Sequence, residues 1–167
     1  MLPVLAEELG DDPFWSERLE LFRGRGGGEH AIHLAVFQEP YLSFMLDGTK
    51  TVESRFAVRR FAPYGLVREG DALLIKASSG PVVGVAHVAK AMYYELDELR
   101  LAAIRREFGE AIRAEIAGFW DDRREARYAT LLDVAEPRVL TNPIVCPKRD
   151  RRGWVVLRSP ERQRIGP

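Results

Sequence analysis

With 167 residues, 46% of them apolar, the chain is long enough for one domain with a substantial core. Its 25 basic and 25 acidic residues cancel, so whole-chain charge argues neither for nor against a nucleic-acid partner, and the placement of the charges has to decide. The single cysteine, Cys146, excludes an internal disulfide and a thiolate metal cluster, and no run approaches the ~20 apolar residues of a membrane-spanning helix.

The opening "MLPVLAEELGDDPF" has neither the basic start nor the long apolar stretch of a secretion signal, and a cytoplasmic location is expected. Residues 1–29 hold three arginines against seven acids. Asp12 can cap a helix whose first turn carries Pro13, and Trp15, Leu19 and Phe22 then share one face. The glycines at 26–28 end it. This segment reads as a helical arm with a glycine-rich linker, packing on the domain that follows or offering its helix to a protein partner.

The main domain is expected over residues 30–158. "HAIHLAVF" is a short apolar strand. "EPYLSFMLDG" is a short helix opened by Pro40 and closed by Gly48, with Leu42, Met45 and Leu46 on its apolar side. "KTVESRF" is a strand with one polar face, residues 72–77 form the next, and "PVVGVAHVAKAMYY" a long one in which Gly84 marks a bend or bulge. Two helices are expected next. "LDELRLAAIRREFG" sets Leu96, Leu99 and Ala103 on one flank and Leu101, Ile104 and Phe108 on another; "EAIRAEIAGFW" groups Ile112, Ile116 and Phe119. "RYATLLDVAEPRVL" is a strand bent near Glu136-Pro137, "GWVVL" is the last strand, and 159–167 form a polar tail. About six short, unevenly spaced strands with a few helices point to an α+β fold, a small mixed β-barrel with peripheral helices, and not to a parallel open sheet.

Two windows are basic. Residues 48–68 carry Lys50, Arg55, Arg59, Arg60 and Arg68 against Glu53, and residues 138–167 carry eight basic groups against Asp150 and Glu161. In the first window, "DGTKTVESR" crowds opposite charges where a strand begins. Lys50 sits at a corner and can face the same side as Glu53, each favouring the other's charged form. Arg55, two residues on, shares Glu53's face of the strand, and its planar fork suits a phosphate or a carboxylate. These groups read either as a solvated ion network or as a polar cleft for a ligand.

"FQEPYLSFMLDGTKTVESRF" followed by "REGDALLIKA" resembles the ASCH domain, a branch of the PUA-like superfamily. The pattern is carried by Gln38, Pro40 and Tyr41, then Gly48, Lys50, Thr51, Glu53 and Arg55, then the Gly70-Asp71 turn, and the resemblance spans roughly residues 32–157. It implies a small mixed β-barrel with a cleft between barrel and helix, lined by the lysine and its neighbours, that binds RNA or a modified nucleotide. Tyr41, Lys50, Thr51, Glu53 and Arg55 are the expected ligand contacts. Some relatives look like amidohydrolases that remove an acyl group from N4-acylated cytidine with a lysine and a threonine three positions later. Here Glu53 stands in that threonine's place, and a carboxylate cannot replace a hydroxyl nucleophile without changing the mechanism. Other ASCH-like proteins are described as nucleases. A metal-independent hydrolase acting on an acylated nucleoside or on RNA, with Lys50 and Glu53 as the reacting pair, is therefore the second reading, and a non-catalytic protein-interaction module the third.

Elsewhere, His30, His33 and His87 are too few and too poorly matched with acids to spell a metal site, and no cofactor is expected. His33 and His87 read as hydrogen-bonded sheet residues, Asp71 as the group that orders its turn, and Cys146 as a buried structural thiol. "KRDRRGW" places Lys148, Arg149, Arg151 and Arg152 before Trp154; with Arg59 and Arg60 they are the candidate phosphate contacts, Trp154 itself reading as core.

Overall fold

The apolar run Ala72–Ile75 has no polar alternation, as befits a strand covered on both faces. In the computed structural model, which describes residues 2–23, 30–147 and 151–159, it lies in the interior of the sheet. The glycine-rich linker, Lys148 and Arg149, and the polar tail from 160 onward lie outside the described residues. Six strands are present among the described residues: β1 (Ile32–Phe37), β2 (Val52–Ala57), β3 (Ala72–Ala77), β4 (Val82–Glu95), β5 (Tyr128–Ile144) and β6 (Trp154–Arg158). They form one mixed sheet in the order β2-β5-β4-β3-β1-β6, with β1 and β3 parallel and every other neighbour antiparallel.

The sheet curls into an open half-barrel and does not close. This corrects the expectation of a barrel: β2 and β6 are both edge strands, and no backbone ladder joins them. The curl comes from the long β4–β5 pair, whose register shifts three times, at Val82/Gly84, Val85/His87 and Val88/Lys90. Gly84 is required there, because a Cβ would lie 2.5 Å from Leu46 Cδ2 and 2.8 Å from the Arg138 carbonyl oxygen. The second bend falls at Glu136, whose φ of 50° precedes Pro137, as the sequence suggested.

Strand alternation assigns the two faces. Ile32 and Leu34 of β1 and Ala72 and Leu74 of β3 face helices α1 (Leu2–Leu9) and α2 (Pro13–Arg23). Asp12 caps α2 as expected, accepting from the backbone N–H groups of Phe14 and Trp15 at 3.0 Å each. Trp15, Leu19 and Phe22 are buried together with Leu5 and Leu9. The face of α2 considered for a partner is thus used by the core. Within the expected helical arm, α1 is a separate helix that the sequence pattern does not mark by itself.

On the other face, Ala35 and Phe37 of β1, Leu73 and Ile75 of β3 and Trp154 of β6 pack with Met45 of α3 (Tyr41–Leu46). A third cluster joins Val52 of β2 and Leu131 of β5 to Ile104 and Ile112 of α4 (Glu98–Ile112) and to Phe119. The expected second helix at 110–120 is absent. Arg113 takes a left-handed conformation (φ 63°), its N–H bonds back to the Glu110 carbonyl and that of Ala114 to Gly109, and the chain leaves the helix. Residues 113–120 run as turns, with Gly118 also at positive φ, before a single 3-10 turn at Asp121–Arg123. Leu99 is 83% exposed, so α4 buries its Ile104 side and not the Leu99 flank.

Candidate functional site

Gly48, at φ 78°, ends α3 and turns the chain so that Lys50 meets the sheet from a corner. The Lys50 side chain is 3% exposed. Its Nζ donates to the carbonyl oxygens of Val52 (2.7 Å) and of Ile112 at the end of α4 (2.9 Å), and lies 3.4 Å from Glu53 Oε2. An ammonium has three hydrogens, and these three acceptors engage them all. Burial lowers the Lys50 pKa from its ordinary 10.5, with Glu53 pulling it back up.

Glu53 is also 3% exposed, and both its oxygens face cations. Oε2 meets Lys50, and Oε1 accepts from Arg55 Nε at 2.5 Å. Arg55 then crosses the open seam of the half-barrel. Its Nη2 donates to the Val36 carbonyl on β1 at 3.0 Å, and its guanidinium lies 5.3 Å and 5.4 Å from the ring centroids of Phe37 and Trp154. One side chain thus spans the gap that a closing strand pair would fill in a complete barrel.

Trp154 is itself held from below. Its indole N–H donates to His33 Nδ1 at 3.2 Å, and His33 Nε2 bonds Asp71 Oδ2 at 2.9 Å. The indole can only donate, so the ring proton of His33 sits on Nε2. Asp71 also collects the backbone N–H groups of Ala31 and Arg68 at 2.7 Å each, so it orders its turn, as expected, and anchors this relay as well. All three side chains are buried, and the chain of contacts runs without a break from the core to Arg55 and Glu53.

Around this network opens one cleft of about 1240 Å³; we call the aromatic group of its lining around Tyr41 and Phe119 the inner lobe, and the group around the β3–β4 turn the outer lobe. The inner lobe is walled by Tyr41, Lys50, Glu53, Phe56, Phe119 and Arg123. Arg123 lies 3.6 Å from the Phe119 ring centroid and donates to that residue's carbonyl at 2.6 Å; burial pulls its pKa down. The Tyr41 ring lies 5.6 Å from Lys50 Nζ and 6.2 Å from Phe119, and its phenol pKa is raised by burial, against the pull of Arg123. The outer lobe is walled by Lys76, Ser78, Ser79, Cys146, Arg151 and Arg152. Lys76 continues the Ala72–Leu74 side of β3, opposite the side that bears Leu73, Ile75 and their contacts with Trp154. Among the described residues, six cations line the cleft against two carboxylates, Glu53 and Asp122.

Of the sequence-predicted residues, Tyr41, Lys50, Glu53, Arg55, Arg151 and Arg152 come together in this cleft. Thr51 does not: it is exposed outside the lining, and its carbonyl accepts from Val134 on β5. Arg59 and Arg60 lie exposed past the end of β2, where Arg60 pairs with Glu95 and covers the rings of Tyr64 and Tyr128. Cys146 is half-buried and lines the cleft, which corrects its reading as a buried thiol. Arg123 and Lys76 escaped sequence reasoning. "DDRRE" reads as a solvated charge run, but a lysine closing the apolar run of a central strand was a usable signal for Lys76. Among the described residues no three His, Cys, Asp or Glu side chains gather as a metal-binding group, and no helix is long and apolar enough to cross a membrane.

The fold is similar to that of crystal structures of the ASCH protein from Zymomonas mobilis. That protein aligns with a TM-score of 0.59 at 16% identity, over 77% of this chain and 88% of that chain. A serine-to-alanine variant of it aligns at 0.58 and 16% identity over 78% and 90%, and a tyrosine-to-phenylalanine variant at 0.59 and 16% over 77% and 91%. No protein-family model matches the sequence, and no curated protein matches it.

Proposed function

We propose that the chain belongs to the ASCH branch of the PUA-like superfamily and binds RNA or a modified nucleotide in this cleft. The observation that carries the reading is the buried Glu53 carboxylate, held by Lys50 and Arg55 on the wall of a cleft whose other charged groups are mostly cations. Each carboxylate oxygen keeps acceptor capacity beyond its cation, and the exocyclic amino group of a base is a fitting donor. Tyr41 and the neighbouring rings offer a stacking surface, and Arg151 and Arg152 attract phosphates. The family motif at Gly48, Lys50, Glu53 and Arg55 and the likeness of fold support the same reading.

The test is fluorescence anisotropy with labelled single-stranded RNA octamers of mixed sequence. Binding is expected to weaken with salt, to drop about tenfold or more in Tyr41→Ala through lost stacking, and to change its base preference in Glu53→Gln. Octamer binding untouched by Tyr41→Ala, Glu53→Gln and Arg55→Ala would remove the cleft from the mechanism.

A hydrolase acting on an N4-acylated cytidine or on RNA is the second reading, favoured by the contact between Glu53 and a lysine of lowered pKa. Incubation with N4-acetylcytidine and with RNA octamers, followed by chromatography, decides it. No product above a Glu53→Gln control rules the activity out.

A further inference from the structure

We propose that Lys76, Ser78, Ser79 and Arg151 form a phosphodiester subsite in the outer lobe, so that the ligand of the cleft is a single-stranded oligonucleotide running through both lobes. The inference rests on the nucleotide reading above and narrows it, since a free nucleoside would occupy the inner lobe alone.

Lys76 is the reason. Lysines are almost never buried without an acid partner. Among the described residues Lys50 is buried against Glu53, and His33 against Asp71. Lys76 is 6% exposed yet forms no ion pair among the described residues; its Nζ donates to the carbonyl oxygens of Ala77 and Gly80. Those two bonds leave one ammonium hydrogen for the lobe that the side chain lines. Little exposed and without an acid partner among the described residues, the ammonium offers its remaining hydrogen to an anion entering the lobe.

The surroundings suit a phosphate. Ser78 and Ser79 lie on the turn after Lys76, where Ser78 N–H bonds the Phe37 carbonyl, Gly80 N–H bonds that of Ala77, and Ser79 stands at φ 58°. Both serines are exposed, and neither hydroxyl makes a hydrogen bond within the described residues, so two more donors face the lobe. Arg151, exposed and lining the same cleft, has no carboxylate partner among the described residues, and its planar fork matches phosphate oxygens. Of the two carboxylates among the described lining residues, Glu53 is held by Lys50 and Arg55, and Asp122 lies on the 3-10 turn that carries Arg123. Both lobes line one cleft, and Val36, the β1 residue that pairs across the ladder with Lys76, is the one whose carbonyl accepts from Arg55. An oligonucleotide held by a base in the inner lobe would carry its following sugar-phosphates along this shared wall.

Lys76 also braces the β3–β4 turn, so a loss of binding in Lys76→Gln alone would not separate ligand contact from folding. Arg151→Gln, at an exposed side chain, serves as the second variant. The probes are the labelled RNA octamer titrated with NaCl, an octamer with uncharged methylphosphonate linkages, and inorganic phosphate in a thermal-shift assay. Each substitution is expected to weaken octamer binding about tenfold and to make the log–log salt slope shallower by about 0.7. Binding of the uncharged octamer is expected to be the same as for the wild type. An unchanged slope and affinity in both variants, with Tyr41→Ala still weakening the octamer, overturns the subsite and leaves the nucleotide reading standing. No octamer binding by the wild type overturns both. If inorganic phosphate then stabilises the wild type but not Lys76→Gln, the lobe takes free phosphate and not a phosphodiester.

Discussion

Replacing Lys50 by methionine keeps the apolar stem and removes the ammonium. The attraction to Glu53 at 3.4 Å is lost, roughly 5 kcal/mol gross at an effective dielectric constant of about 20. The carbonyls of Val52 and Ile112 lose their donor, and a buried unsatisfied acceptor costs about 1–3 kcal/mol. Relief from burying a cation, the same burial that lowers the Lys50 pKa, opposes these losses. The net is expected near 3–5 kcal/mol, the usual cost of removing one partner from a buried pair. That is a large share of a typical stability of about 5–15 kcal/mol. In urea unfolding followed by tryptophan fluorescence and circular dichroism, with an m-value of about 2 kcal/mol/M, the midpoint should fall by about 2 M. Lys50→Met/Glu53→Gln should cost less than the two single variants added together, because each single variant already removes the same Lys50–Glu53 contact, while Arg55 still holds Glu53 Oε1 when Lys50 alone is lost. A single variant within about 1 kcal/mol of wild type, or a double variant worse than the sum of the singles, would refute the claim that this lysine ties β2 to the end of α4. Of the binding variants, Tyr41→Ala alone leaves the Lys50–Glu53–Arg55 ion network in place, so it separates recognition from folding best.

Two further outcomes follow from the packing of α2. Burial, ahead of the nearby charges of Arg18 and His30, lowers the His87 pKa below 6.5, with Glu69 and Glu136 opposing. A depressed pKa gives stability that is fully present above the unfolded value and lost as pH falls through the folded one. The urea midpoint should therefore fall more steeply on acidification below about pH 6.5 in wild type than in His87→Gln; parallel profiles would sink the argument. Trp15 is 2% exposed, its Nε1 donates to the Glu136 carbonyl at 3.0 Å, and Trp15→Ala should cost about 3–5 kcal/mol in the same assay. An unchanged midpoint would mean that the N-terminal helices are a detachable arm after all.

The core of the molecule and its cleft are mechanically one object. Asp71 fixes His33, His33 fixes Trp154, and Trp154 supports the guanidinium that reaches Glu53. A half-barrel held open at one seam needs such a brace, because neither β2 nor β6 has a backbone partner there. Two members of this brace, Glu53 and Arg55, also line the cleft.

Local pattern was enough for much of this. The apolar runs of β1 and β3, the one polar face of β2, the Asp12 cap and the Gly48 stop are short-range properties, and each of these elements formed where the local pattern placed it. The pairing of Glu53 with Arg55 was legible for the same reason, since residues two apart on a strand share a face. What remained hidden depended on which strands become neighbours. Nothing within ten residues of Arg55 says that the seam stays open or that its guanidinium will rest on Trp154, nearly a hundred positions away. Nothing in "DDRRE" says that Arg123 will lie on Phe119 inside a cleft, and the left-handed turn at Arg113 overrode a helical period that looked sound. Backbone sterics and side-chain period act over a few residues and can be read along the chain. Long-range contacts, and the burial that gives a lone lysine or a pair of cations its chemistry, exist only once the sheet has curled.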